Sequence, residues 1–569
     1  MAQASLPKRV KLTTPLGIAD KKWFYRLWEI IPGLTSWLVL LSPIVLSLFW
    51  PIAVAYFIIA FDLLWLLKSM RMSLGLVEGY RTLKRAEKVD WPARLKELKD
   101  VNKALNIQQQ KLSSIARPGI FGAARVGKNK RAYQATKQEV ERLRLVAEHQ
   151  STLLQPSEIY HVIIMAVYNE SLDVIRPSVE AILSSKFDPK KVIFVLAYEE
   201  RGGEQTAQNA KALEKQFSSR FGGYLGICHP DGLKGEMRGK GANITFAGRI
   251  VKDYLEDRAI EAENVVVTTL DADHRTDPNY LPYLTYEYCV NPNRTHFSYQ
   301  PMAMFTNNIW DAPAPMRVIA TGNSFWLMME SVRHYRLRNF AAHAQSMQTL
   351  IDTDFWSITS IVEDGHQYWR TFFTYDGDHL VEPLYVPIYQ DAVLADNYRK
   401  TFLNQYKQLR RWAYGASDIP YVMTNNLKNR HIPFGTKWVQ FFRLWEGHLS
   451  WATAPLILTF AAWIPLVLNN EFTHQVLAHQ LPVVASRILT IALIGQFITI
   501  LLSLLMLPPR PKHYHKAKFL FMIFQWVLVP VTSIAFGSAA AIDAQTRLMI
   551  GRYPKVFDVT DKAVKGSKK

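Results

Sequence analysis

The sequence predicts an α/β domain with a mostly parallel sheet, inserted between N-terminal and C-terminal transmembrane helices. Two observations carry that prediction. From Tyr160 onward, short β-rich runs alternate with helical stretches: YHVIIMAVY, a helix over 172–186, KVIFVLAY, a helix over 204–219, then NVVVTTL. Such βαβα order describes a parallel sheet with helices on its faces. Long Leu/Ile/Phe/Trp runs, meanwhile, sit near the start and in the last 120 residues, with a polar, mixed segment between them. At 569 residues the chain also exceeds the roughly 250 to 300 residues that one core sustains, so several domains are expected.

In chain order, residues 1–32 form a polar, basic N-terminal segment with Lys8, Arg9, Lys11, Lys21, Lys22 and Arg26. No small-residue cleavage site follows the first apolar stretch, so the expectation is an anchor rather than a removed signal peptide. Residues 33–49 and 51–67 are each about long enough to span, at roughly 1.5 Å per residue. They meet at Trp50-Pro51, with cations before the first and after the second (Lys68, Arg71), which predicts a transmembrane hairpin over 33–67 with both ends cytoplasmic. Residues 68–155 read as a charged helical cytoplasmic region, periodic near 91–114 and 131–153. Between those helices RPGIFGAARVGKNKR carries five cations and no acid, and reads as a mobile loop near the lipid surface.

The α/β domain occupies 156–430. Residues 431–448 mix Trp438, Phe441, Phe442 and Trp445 with Lys437, Arg443 and Glu446, the composition of a helix lying in the membrane interface. A C-terminal transmembrane region follows over 449–541, with spans at 449–468 and 483–507. The loop NNEFTHQVLAHQLP between those spans has no Lys or Arg, whereas PPRPKHYHKAK after them has four, which keeps the α/β domain inside. The run 519–541 breaks the pattern, because a full fifth span would send the basic tail, 542–569, outside. A full span and a division at Pro530 into a re-entrant pair, with the tail staying inside, both remain open from the sequence, the re-entrant pair being slightly preferred.

The excess of 67 Lys+Arg over 48 Asp+Glu gives a net charge of +19, and many cations flank the apolar runs, where they meet anionic headgroups. Nucleic-acid binding is not expected, since no basic stripe interleaved with aromatics and no zinc-finger spacing accompanies the charge. Cys228 and Cys289 are far apart and indicate neither a disulfide framework nor a zinc site.

In an open parallel sheet, ligands bind beyond the carboxyl ends of the strands. Tyr168, Asn169 and Glu170 follow the first strand, Glu199 and Glu200 the second, and Asp271 and Asp273 the third. Asp-x-Asp spacing also occurs at Asp352/Asp354 and Asp376/Asp378, but only Asp271 and Asp273 follow a buried-type strand. Two hard oxygen ligands there suit Mg²⁺ or Mn²⁺ bridging a nucleotide diphosphate, with His274 as a possible third ligand or a hydrogen-bonding neighbour. Gly235–Gly241 is one residue short of the phosphate-loop spacing and lacks Ser/Thr after Lys240, which excludes an ATPase reading; Lys240 can still approach a nucleotide. Asp364, beside Glu363, is the candidate base for an attacking hydroxyl. Gln408 and Arg411, three apart, share a helix face, and Trp412 follows: Arg411 can clamp a diphosphate and the indole can stack on a sugar.

MAVYNES, DADH, VEDGHQYWR and QLRRW, in this order between membrane segments, resemble the inverting glycosyltransferases of family 2, in particular the branch containing cellulose and hyaluronan synthases. The resemblance covers roughly residues 160–550. It implies a nucleotide-diphospho-sugar transferase (GT-A-like) domain. It also implies Tyr168 and Glu170 at the nucleotide, Asp271 and Asp273 at the metal and diphosphate, Asp364 as general base, and Gln408, Arg411 and Trp412 closing on donor and acceptor. Departures are Glu199-Glu200 where the family has paired aspartates, and Val362 where it often has Thr.

The resulting expectation is an integral protein of the plasma membrane whose cytoplasmic domain transfers sugar from a nucleotide sugar, a UDP-sugar, to a growing polysaccharide, processively. The alternatives are a single transfer to a lipid acceptor and, from another class, an inactive scaffold or transporter component.

Overall fold

A computed structural model describes residues 23–115 and 126–554. The α/β domain is built on one eight-stranded sheet: β1 (Tyr160–Val167), β2 (Val192–Glu199), β3 (Gly223–His229), β4 (Val265–Asp271), β5 (Arg275–Thr276), β6 (Phe297–Met304), β7 (Ala344–Ser346) and β8 (Leu380–Tyr389). Its order is β3-β2-β1-β4-β7-β6-β8-β5. The pairs β3/β2, β2/β1, β1/β4 and β6/β8 are parallel, while β7 runs against both neighbours and β5 runs against β8.

The parallel half explains its own sequence. Strands covered on both faces must be apolar at every position, and alternate residues then feed two cores. Ile163, Met165, Phe194 and Leu196 join one; Val162, Ile164, Ile193, Val195 and Ala197 join the other. Ahead of the sheet, helices Trp91–Glu97 and Val101–Ser114 start at Asp90 and Asp100, whose carboxylates accept from the Ala93 and Lys103 amides (3.1 and 2.9 Å). Trp91 stacks on Tyr283 at 3.7 Å, fastening this region to the domain. Most of the basic loop expected over 117–131 lies outside the described residues; the chain is helical again from Val126.

Among the described residues, five helical stretches are long and apolar enough to cross a membrane: Trp23–Phe49, Pro51–Ala86, Phe434–Leu468, Val476–Leu505 and Lys518–Met549. Several outrun their apolar runs. The helix from Pro51 continues past residue 67 to Ala86 because its polar half packs on the domain, where a Cβ at Gly79 would lie 2.6 Å from the Met328 carbonyl oxygen. Residues 434–448 are the first half of one helix reaching Phe460, not a separate element.

The last stretch corrects the expectation of a re-entrant pair. From Lys518 to Met549 the chain is a continuous helical run, with 3₁₀ geometry before Pro530 and π geometry over Ser533–Ser538 but no reversal. Proline at the start of its own short turn lacks only an amide that has no partner there, so it need not break the run. The run meets the α/β domain along its length. Lys518 donates to the Trp310 carbonyl, Arg317 Nε to Gln525 Oε1 (2.6 Å), Phe536 meets Phe402, and Arg410 pairs with Asp543 (3.1 Å). Its end is capped by Arg26, which donates to the Leu548 and Met549 carbonyls, and Tyr553 donates to Glu29 (2.7 Å). The chain therefore reaches Pro554 at the same end of the helical layer as Trp23.

Candidate active site

Parallel register gathers the strand ends. Ala166 lies opposite Asp271 and Val167 opposite Tyr198, so the segments after β1, β2 and β4 emerge at one edge of the sheet. Helix Lys240–Glu256 begins there and puts Lys240 over that edge. Its Nζ lies 2.6 Å from Asp271 Oδ1 and 3.9 Å from Glu363 Oε1.

Glu363 and Asp364 open helix Glu363–Thr374, which comes hard against the Lys240 helix. Gly241 makes that approach possible, because a Cβ there would sit 2.4 Å from the Ser357 carbonyl oxygen and 3.1 Å from Glu363 Cβ. Glu363 is buried, and burial together with the neighbouring Asp364 charge pushes its carboxyl up from 4.5 to about 7, although Lys240 pulls the other way. Asp364 is also raised by burial, while Lys240 and Arg411 favour its charge and Asp271 opposes it. Burial pulls Lys240 down, yet Asp271, Glu363 and Asp364 together hold its ammonium above the ordinary value. The two carboxylate sites thus share one buried cation.

Asp271, Asp273 and His274 each offer a ligand atom, all within 4.8 Å of one another, a spacing that could hold a metal ion. Asp273 is buried, its Oδ2 accepting the Asp391 amide (2.8 Å) and its carbonyl accepting Asn307 Nδ2 (2.9 Å). The oxygen donors fit a hard divalent cation such as Mg²⁺ or Mn²⁺. His274 Nδ1 accepts the Asp271 amide (3.1 Å) and its Nε2 lies 3.5 Å from Asp271 Oδ2, so the ring stands beside the two carboxylates, where it can complete the group or orient Asp271.

At the far strands, the Tyr168 amide donates to Glu170 Oε2 (2.8 Å) and the Arg201 guanidinium lies 4.4 Å from the Tyr168 ring centroid. Arg201 also pairs with both oxygens of buried Glu199. Glu199 therefore presents a neutralised pair at this edge, where the sequence offered Glu199 and Glu200 as two carboxylates. Helix Tyr398–Ala413 starts at Asn397, whose side chain accepts the Lys400 amide (2.9 Å), and brings Gln408, Arg411 and Trp412 to its last turns. Arg411 is close enough to favour the charged form of Asp364, Trp412 lies 6.4 Å from Phe305 at the end of β6, and Gln408 Oε1 accepts from Gln405 (3.1 Å).

Sequence reasoning missed Arg201, Asn307 and Asp391. Arg201, two residues beyond Glu199, was the visible signal of charge pairing. Asp391 contributes through its backbone amide, which no side-chain pattern reveals.

No family model matches the chain, and no curated protein does. Among solved structures it is similar to the mannosyltransferase PcManGT from Pyrobaculum calidifontis in complex with GDP-Man and Mn²⁺, with 13% identity over 60% of this chain and 88% of that one, at a TM-score of 0.36. It is also similar to S. aureus TarS in complex with UDP-GlcNAc, with 12% identity over 69% of this chain and 93% of that one, at a TM-score of 0.30.

Proposed function

We propose that this chain is a membrane-embedded inverting glycosyltransferase of family 2, transferring a hexose from a UDP-sugar to a growing polysaccharide in a processive manner, with its α/β domain at the cytoplasmic face of the plasma membrane. The observation that supports it is the convergence of Asp271, Glu363 and Asp364 on Lys240 at the carboxyl edge of the parallel strands. Tyr168 and Glu170, with the Glu199–Arg201 pair, bind the nucleoside. Asp271 and Asp273 hold the divalent cation, which supplies charge neutralisation of the departing diphosphate. Lys240 adds a buried positive charge on the same side, and Arg411 clamps the diphosphate while Trp412 stacks on the sugar.

Asp364 takes the proton from the acceptor hydroxyl as its oxygen attacks the anomeric carbon; the bond to the diphosphate breaks on the opposite face, so the configuration inverts. Glu363, buried beside it, holds Lys240, while burial raises the Asp364 carboxyl above its ordinary value and so strengthens it as a base. The test is turnover of UDP-sugars by the purified full chain with Mn²⁺, followed by product sizing. Asp364→Asn should lower kcat by roughly 10² to 10⁴ with unchanged donor binding. Unchanged turnover in that variant rejects Asp364 as the base, and a single sugar on lipid rejects the polymer.

A further inference from the structure

Apart from the catalytic edge, the α/β domain meets the run Lys518–Met549 around a cavity of about 630 Å³. Arg317, near the start of helix Ala314–Ser331, lies at its inner end and is only 6% exposed. Its Nε donates to Gln525 Oε1 (2.6 Å) and its Nη1 to the Ala312 carbonyl (2.7 Å). Both partners are neutral, and among the described residues no carboxylate lies within ion-pair distance of Arg317. Asp311, at the same mouth, instead accepts from Tyr514 Oη (2.5 Å). A guanidinium buried without an anion is costly, and the cost is relieved when an anion arrives to share it.

The surroundings say which kind of anion. The loop 508–518 leading to the mouth carries Arg510, Lys512, Lys516 and Lys518 and no acid. Lys518 Nζ lies 3.3 Å from the Tyr514 ring centroid at the cavity wall. The outer wall is apolar and uncovered: Phe521 and Phe524 are each 68% exposed and Val527 is 77% exposed. A soluble phosphate would leave that wall wet, whereas a phosphate ester carrying acyl chains covers it and neutralises Arg317 at once.

We propose that this cavity binds the phosphate headgroup of an anionic membrane phospholipid, with Arg317 as its buried counter-ion and the Phe521/Phe524/Val527 wall against the acyl chains. The segment 305–313 runs between this site and the catalytic edge, carrying both Asn307, bonded to Asp273, and Trp310, whose indole donates to the Pro508 carbonyl (3.1 Å). It does not depend on the proposed reaction.

The test is native mass spectrometry of the full chain released from nanodiscs of phosphatidylcholine with and without phosphatidylglycerol. Wild type should retain phosphatidylglycerol selectively, and Arg317→Gln should lower that retention roughly tenfold. Should Arg317→Gln fail to fold, Phe521→Glu, on the exposed wall, puts a repelling charge at the mouth and should lower retention likewise. Equal retention of the two lipids by wild type, or retention by the folded variants equal to wild type, overturns the proposal. Displacement of the lipid by inorganic phosphate alone overturns it too, because the acyl chains would then contribute nothing.

Discussion

Strands β3, β2, β1 and β4 run parallel and end at Glu199, Asp271 and the Tyr168 segment, whereas β7, β6, β8 and β5 mix directions, with β8 packed against the long helix Pro51–Ala86. The first half is largely apolar, with His161, Thr268 and Thr269 among its few buried polar positions, and its charged residues gather at one edge. The second is polar inside. Gln345, at the centre of three-residue β7, donates to Ser298 Oγ (2.9 Å) and Thr371 Oγ1 (3.0 Å) and accepts from Gln367 (3.2 Å). In the parallel half the fold holds the chemistry at its rim. In the mixed half, buried hydrogen bonds substitute for a long ladder and tie the sheet to helix Glu363–Thr374, which brings in Glu363 and Asp364.

That contrast breaks most severely at Lys240. Lys240→Met removes the cation shared by three carboxylates and leaves Glu363, only 4% exposed, without it. Breaking a buried ion pair from one side costs about 3 to 5 kcal/mol, so a large fall in unfolding midpoint with loss of turnover is expected, read by thermal unfolding and donor hydrolysis. A variant as stable as wild type would mean that the carboxylates do not depend on this lysine.

A smaller effect is expected in the mixed half. Gln345→Leu keeps the volume but strands the partners of its amide, at a cost of about 1 to 3 kcal/mol. Because Gln345 touches Gln367 and Thr371 but neither Glu363 nor Asp364, its variant should lower the unfolding midpoint clearly and kcat at low temperature only modestly, through a loosened hold on their helix. Equal damage to both properties would show that the two halves are one mechanical unit.

The same division governs what could be read from the chain. YHVIIMAV, VIFVLAYE and VVVTTLD announce themselves because strands buried on both faces have no choice of composition. β3, GYLGICH, has two glycines and exposed positions, and β8, LVEPLYVPIY, contains two prolines, tolerated opposite a register shift at Pro301/Met302. Neither has a pattern to find. Asp271, Lys240 and Asp364 were legible as residue types at strand and helix ends. The close approach at Gly241 and the Asp391 amide depend on segments far apart in sequence, and the sequence offers no local signature for them, whereas the Arg201–Glu199 pair, two residues apart, had one. The re-entrant expectation for 519–541 failed for a related reason: hydropathy registers an apolar run but not the domain surface it lies on.

The smallest predicted effect separates stability from catalysis within the edge itself. Glu363 holds its proton up to about pH 7 in the folded protein against 4.5 ordinarily, so the folded state binds the proton more tightly than the unfolded chain does. Stability from this group is therefore fully present below pH 4.5 and is lost as pH rises to about 7. Catalysis runs the other way, since the Asp364 base, also raised by burial, must lose its proton to act. Across that window kcat/KM should climb while the unfolding midpoint falls. Glu363→Gln, nearly isosteric and permanently neutral, should flatten the fall in midpoint and leave the rise in kcat/KM nearly where it is, because Glu363 is itself protonated over most of that window. Parallel midpoint profiles for the variant and wild type would show that Glu363 does not titrate in this range.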